Sequence, residues 1–264
     1  MFKFSEDLCY FMPAHFGNRE GQPRRWTYDD VTSISISYET DADQLSKYVP
    51  EGFELTQPVL MLDYEMNRGV EWMAGGSYNI ICAQVPVVCK LAAQRLEGWF
   101  VLVVWENKTC PILPGREITG IPKIFADIQD HHQLAERAFT NASYEGATFL
   151  RMDFRTTRSM TPEELAERNE SQRQVNWFGW RYIPNIGKPG AALSHATLYP
   201  VGAAFKTGWV GDGCIQWTPL TREQHPTQAH IIEALAGLPI KAYLHSEMTM
   251  KTGFLRDDLA RALP

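Results

Sequence analysis

Several features are scarce or missing in this 264-residue chain, and each absence removes a class of protein. Cysteine is rare. Cys9, Cys82, Cys89, Cys110 and Cys214 form an odd set with no C-x-x-C pair. That argues against a disulfide framework and for a reducing, cytoplasmic setting. Long apolar runs are missing too. The longest, Trp99 to Trp105, falls far short of the ~20 residues of a membrane-spanning helix. The opening stretch MFKFSEDLCYF carries Glu6 and Asp7 where a secretion signal needs an apolar run. No basic excess exists either: 25 Lys and Arg stand against 31 Asp and Glu, a net charge of −6. A nucleic-acid or anionic-membrane partner is therefore not expected, since phosphate binding needs a basic face.

Standard catalytic motifs are equally lacking. There is no G-x-S-x-G elbow, no phosphate-binding Walker loop and no dinucleotide fingerprint. GWVGDG (208–213) has the wrong glycine spacing. No H-x-x-x-H pair occurs, and the adjacent His131 and His132 point different ways on any regular element. Cys82 and Cys89 are too far apart for a metal knuckle. Neither a metal nor an organic cofactor is expected.

What is present is ordinary globular material, 44% apolar and 21% charged, with no internal repeat or low-complexity linker, so residues 1–264 are expected to form a single domain. Ile34, Ile36 and Tyr38 alternate with Ser33, Ser35 and Ser37, the period of a half-buried strand. Leu150, Met152 and Phe154 alternate with Arg151, Asp153 and Arg155 in the same way. Stretches 58–65, 77–88 and 98–105 are rich in β-branched and aromatic residues and read as further strands. Helix signals are fewer. Thr40 or Asp41 caps a short helix before Pro50, and Thr161-Pro162-Glu163-Glu164 has the form of a capping box opening a charged surface helix. Residues 227–236 have helical spacing ended by Gly237 and Pro239, and a last helix is expected from Phe254 onward. The fold class is α+β, mostly antiparallel β with a few peripheral helices.

One segment stands apart: Pro114-Gly115-Arg116-Glu117-Ile118-Thr119-Gly120-Ile121-Pro122-Lys123-Ile124-Phe125. It is rich in turn residues and ends on a lysine flanked by Ile121, Pro122, Ile124 and Phe125. Burying an ammonium among apolar groups is costly. Either Lys123 snorkels its head to water, or it serves as an amine nucleophile that forms an imine with a carbonyl compound.

The pattern G-R-E-x-x-G-x-P-K resembles the signature of the acetoacetate decarboxylase superfamily, and further elements follow in order. These are Tyr38-Glu39-Thr40-Asp41 with Val49-Pro50, the strand Pro58 to Glu65, Gln84-Val85-Pro86-Val87, Ile183-Pro184-Asn185 and Leu238-Pro239-Ile240-Lys241. The resemblance spans about residues 30 to 250. It implies a closed β-barrel or cone, an oligomeric assembly, and no cofactor. It also implies Lys123 as the Schiff-base nucleophile, with Arg116 and Glu117 as its catalytic companions, one holding a substrate carboxylate and the other relaying protons. The alternative for that pair is an ion pair that fixes the loop.

Departures from the family pattern are as informative. The position after the nucleophile, a second lysine in true acetoacetate decarboxylases, is Ile124. Asp63 replaces a family glutamate, Ile80 stands at a second glutamate position, and Val31 at an arginine position. Asp63, Tyr78, Trp105 and Ile121 are the expected substrate-binding residues. The implied activity is a Schiff-base lyase acting on a keto acid or other small carbonyl substrate, by decarboxylation or by aldol and dehydration chemistry. The other reading is a small-molecule-binding protein that keeps the cavity without turnover.

Overall fold

The alternating segments become long strands of one 14-stranded sheet. The structure is a computed structural model that describes residues 2–18, 24–91 and 95–264. In chain order the strands are β1 (Arg25–Glu39), β2 (Phe53–Leu55), β3 (Val59–Val70), β4 (Gly76–Cys89), β5 (Leu96–Glu106), β6 (Lys123–Phe125) and β7 (Asp127–Ile128). Then come β8 (His132–Leu134), β9 (Arg137–Tyr144), β10 (Ala147–Ser159), β11 (Val175–Pro184), β12 (Ala191–Trp217), β13 (Ala242–Arg256) and β14 (Arg261–Ala262). The α-helices are short: α1 (Ala42–Ser46), α2 (Thr109–Pro114), α3 (Pro162–Ser171) and α4 (Ala229–Ala236).

Hydrogen-bonded neighbours run from β11 through β5, β4, β3, β1 and β13 to β12, and β12 pairs back with β11. The sheet thus closes on itself. Most pairings are antiparallel; β11 with β5 and β5 with β6 are parallel. Closure depends on β12, whose 27 residues serve several partners in turn. Ala191 to Val201 pair with β11, Val201 to Val210 with β13, and Trp209 to Trp217 with β10.

The serine alternation on β1 has a different cause from the expected one. Ile34 and Ile36 are fully buried in the main core, yet Ser33 and Ser35 are buried as well, at 1% and 9% exposure. The serine face looks into the closed sheet and not out to water. Alternation therefore marks a strand between an apolar core and a polar interior. A second, smaller apolar cluster of Tyr28, Val31, Tyr78, Ile80, Ile121 and Tyr199 lies on this interior side.

Three helices follow the sequence signals. Asp41 accepts from the Gln44 N–H and caps α1. Thr161 and Glu164 form the reciprocal capping box of α3. α4 ends at Gly237. The helix expected from Phe254 does not form. β13 continues to Arg256, because Leu255 and Arg256 still have strand partners in Trp26 and Arg25. A single 3-10 turn at Asp257–Leu259 and the short β14 complete the chain.

Candidate active site

The segment 114–125 is not a plain turn. α2 runs into one wider helical turn, Gly115–Thr119, in which the Gly120 N–H reaches back to the Gly115 carbonyl. This i→i+5 spacing is a π turn, a form frequent at functional sites. The Ile121 N–H and the Thr119 Oγ1 donate to the same carbonyl, at 3.0 and 2.8 Å. Gly120 then reverses the chain at φ 69°, a left-handed conformation that suits glycine. A Cβ there would also lie 2.7 Å from Arg181. The reversal lays β6 parallel to β5, with Lys123 opposite Val104.

Gly115 makes room for the lysine. A Cβ at Gly115 would stand 2.2 Å from Lys123 Cδ and 2.5 Å from Cε, so the aliphatic stem lies directly on the glycine. Gly115→Ala is expected to push the Lys123 side chain off this seat. We expect a stability loss of about 1–3 kcal/mol from overpacking, read by urea unfolding. A parallel fall in reductive alkylation at Lys123 should accompany it. Unchanged alkylation and stability would show that the seat has no importance.

The Lys123 side chain is 12% exposed, and its Nζ lies 2.9 Å from Glu106 Oε1. Glu106 ends β5, is 1% exposed, and its other oxygen has no hydrogen-bond partner among the described residues. Burial raises the Glu106 carboxyl above its ordinary value, with the Lys123 charge pulling the other way. The apolar flanks of Lys123 are therefore not its whole surroundings: a buried carboxylate is in contact with the amine.

Both groups face a cavity of about 160 Å³. Near the lysine its wall includes Val104, Ile80, Ile121, Tyr28, Tyr78 and Tyr199. The Tyr28 and Tyr78 hydroxyls are 2.9 Å apart, and Trp72 Nε1 donates to Tyr28 at 2.9 Å. Burial raises both tyrosines well above the usual phenol value, so they enter as neutral hydroxyls.

The opposite wall is ionic. Lys251 Nζ pairs with Glu65 Oε1 at 2.7 Å. Arg168 of α3 makes a two-pronged contact with Glu247, which His245 also touches at 2.8 Å. Asp63 Oδ1 accepts from the Ser35 hydroxyl at 2.6 Å. The register explains the grouping: Asp63, Ser35 and Glu247 lie in one row across β3, β1 and β13. Burial pushes the Asp63 carboxyl up to about 6, and the Glu65 charge adds to this against the pull of Lys251. Burial works to raise the Glu247 carboxyl, but His245 and Arg168 hold it below the usual value. Burial works to lower the Lys251 ammonium, yet Glu65 and Asp63 hold it above the usual value.

Of the residues singled out in the sequence, Lys123, Asp63, Tyr78 and Ile121 line the cavity. Arg116 and Glu117 are not among its lining residues. Arg116 is exposed and donates to the Lys123 backbone carbonyl at 3.1 Å, and Glu117 is partly buried on the π turn. The turn presents Gly115 to the lysine stem, and the two residues that follow it stand outside the lining. Trp105 faces the other side of β5, into the main core, with ring centres 5.3 Å from Phe149 and 6.1 Å from Trp217. Strand alternation forces this, since its neighbours Val104 and Glu106 face the cavity. Trp105→Ala is expected to cost about 3–5 kcal/mol by urea unfolding, the cost of emptying a core site. A loss under 1 kcal/mol would contradict this placement.

Glu106, Glu65, Lys251, Glu247 and Arg168 escaped sequence reading. Each is a lone charge on a strand or a charged helix, which locally looks like a solvated position. Glu106 alone carries a clue, as an acid that directly continues the apolar run ending at Trp105.

The sequence profile described as Acetoacetate decarboxylase (ADC) matches residues 11–256. The chain belongs to the acetoacetate decarboxylase family. It is 25% identical over 210 residues to an acetoacetate decarboxylase of Burkholderia mallei, covering 78% of this chain and 76% of that one. An acetoacetate decarboxylase structure from Legionella pneumophila superposes with a TM-score of 0.74 at 20% identity, covering 92% of this chain and 88% of the other. The enduracididine biosynthesis enzyme MppR, complexed with the condensation product of pyruvate and imidazole 4-carboxaldehyde, gives 0.69 at 14% identity, covering 92% and 90%. The family is one of lysine-dependent lyases.

Proposed function

We propose that the protein is a Schiff-base lyase for a keto acid or another small carbonyl compound, with Lys123 as nucleophile and Glu106 as its proton partner. The observation that carries this is a mostly covered primary amine at the cavity wall, its side chain 12% exposed, in contact with a buried carboxyl that burial favours in its neutral form. Proton transfer from the Lys123 ammonium to Glu106 turns the ion pair into a neutral amine and a neutral acid. The amine lone pair then forms a C–N bond to the substrate carbonyl carbon. Glu106 returns its proton to the carbonyl oxygen, the nitrogen gives that oxygen one of its own two protons, and the C–O bond breaks to release water and leave an iminium. The iminium accepts the electron pair of a neighbouring bond, either C–CO2 in decarboxylation or C–H in aldol and dehydration chemistry. The buried Tyr28 and Tyr78 hydroxyls supply hydrogen bonds to departing or attacking oxygen atoms. Arg116 acts as a positioning residue by clamping the Lys123 carbonyl.

Borohydride reduction in the presence of a panel of keto acids and aldehydes tests the proposal. A mass increase is expected at Lys123 by peptide mapping. Carbon dioxide release or a new carbon–carbon product then assigns the branch. Absence of any adduct with every carbonyl offered would overturn the lyase reading in favour of a binding protein.

A further inference from the structure

We propose that the ionic wall opposite Lys123 is a subsite for a positively charged group, an ammonium, guanidinium or imidazolium carried at the far end of the carbonyl substrate. This deepens the lyase reading and rests on Lys123 as the attachment point.

The charge inventory of the cavity motivates it. Its lining holds Asp63, Glu65, Glu106 and Glu247 against Lys123, Arg168 and Lys251. Each cation is already paired with a carboxylate: Lys123 with Glu106, Arg168 with Glu247, and Lys251 with Glu65. Asp63 is left over. Its partner is the Ser35 hydroxyl, and among the described residues no lysine or arginine pairs with it. The enclosed space therefore holds four carboxyl groups against three cations: Asp63 and Glu65 share the field of Lys251, and Asp63, in no ion pair of its own, stands to gain from a further cation.

A second, independent observation points to a ligand at the same place. Gln84 lines the cavity at 2% exposure, and its Oε1 has no hydrogen-bond partner among the described residues. Gln84 pairs with Met61, one step along the same face from the Asp63–Cys82 pair. A carboxylate and an amide whose oxygen has no hydrogen-bond partner among the described residues thus share one patch of the lining. The geometry also sets a length. Lys123 lies on β6, three strands from β3, a separation of roughly 14 Å at ordinary strand spacing, which the lysine side chain and a chain of about five atoms beyond the imine bridge together. A substrate with a second carboxylate in that position would instead face Asp63, with each lining cation among the described residues already paired.

The test uses methyl ketones of equal length. One ends in trimethylammonium, one in its neutral tert-butyl isostere, and one in a carboxylate. Each is trapped on the intact protein with borohydride, and acetone serves as a short control. The trimethylammonium ketone is expected to half-saturate Lys123 at a concentration about tenfold below that of the isostere, with the carboxylate weakest. In Asp63→Asn the ratio should fall to near one. Gln84→Met, checked for folding by circular dichroism, should lower it several-fold and stands in if Asp63→Asn fails to fold. If acetone traps at Lys123 but the three long ketones half-saturate equally, the cation subsite is overturned while the lyase reading stands. If nothing traps at Lys123, the lyase reading fails. Reversible binding of the same ketones, followed by quenching of cavity tryptophan fluorescence, then decides the subsite: a preference for the cation supports it, and equal binding overturns it.

Discussion

Lys123→Met is expected to abolish the borohydride-trapped adduct and to lower turnover by at least about 10⁴-fold, the scale on which loss of a nucleophile acts. Lys251 makes this a sharp test. It too is a buried lysine on the same cavity, paired with a carboxylate. A family resemblance alone does not separate the two amines, but their surroundings do. Glu65 and Asp63 hold the Lys251 ammonium above its usual range, which keeps that amine protonated. Adduct mapped to Lys251, or adduct persisting in Lys123→Met, would overturn the assignment. The variant also has a stability signature. It strands Glu106 in the interior, where the carboxyl is already raised. A carboxyl raised in the folded state contributes stability that is fully present below its unfolded value and is lost as pH rises through the folded one. Lys123→Met should therefore be close to wild type at pH ~4, and about 3–5 kcal/mol less stable at pH ~8, where the bare carboxylate would have to be buried. Equal stability deficits at both pH values would show that Glu106 has another partner.

The strands and three of the helices were legible because their signals are local. Thr161 and Glu164 cap α3 through residues three apart, and the apolar runs of β3, β4 and β5 identify themselves. Lys123 was legible because its motif is contiguous. The ionic wall was not, because it is assembled from β3, β13 and α3 by sheet closure. Asp63 and Glu247 are far apart in sequence and share a row only through Ser35. The same closure explains the serine face of β1. A polar residue at every second position looks identical whether that face meets solvent or an enclosed polar cavity. Phe254 to Arg256 misled for the opposite reason. The segment has helix-compatible residues, and long-range pairing with β1 outweighs that weak local preference.

Glu106→Gln is expected to preserve the fold and the identity of the trapped lysine while slowing imine formation by about 10²- to 10³-fold, the usual contribution of a positioned acid–base group. The amide matches the carboxyl in shape and still accepts a hydrogen bond from Lys123. What it lacks is a proton site. In the wild type the reactive arrangement, neutral amine with neutral acid, has the same number of protons as the resting ion pair. Exchange between them draws nothing from solvent, so the trapping rate should be flat across a window around neutral pH. Below that window the pair takes up a proton and the rate falls. In Glu106→Gln the amine can be freed only by losing its proton to water. The flat window should then give way to a rate that climbs tenfold per pH unit toward alkaline conditions. The variant should approach wild type only at high pH. Rates measured by quenched borohydride trapping between pH ~5 and ~9 distinguish this from a purely structural ion pair. Loss of a merely structural pair would lower the rate by the same factor at every pH and leave the wild-type profile intact, which would remove Glu106 from the proton path.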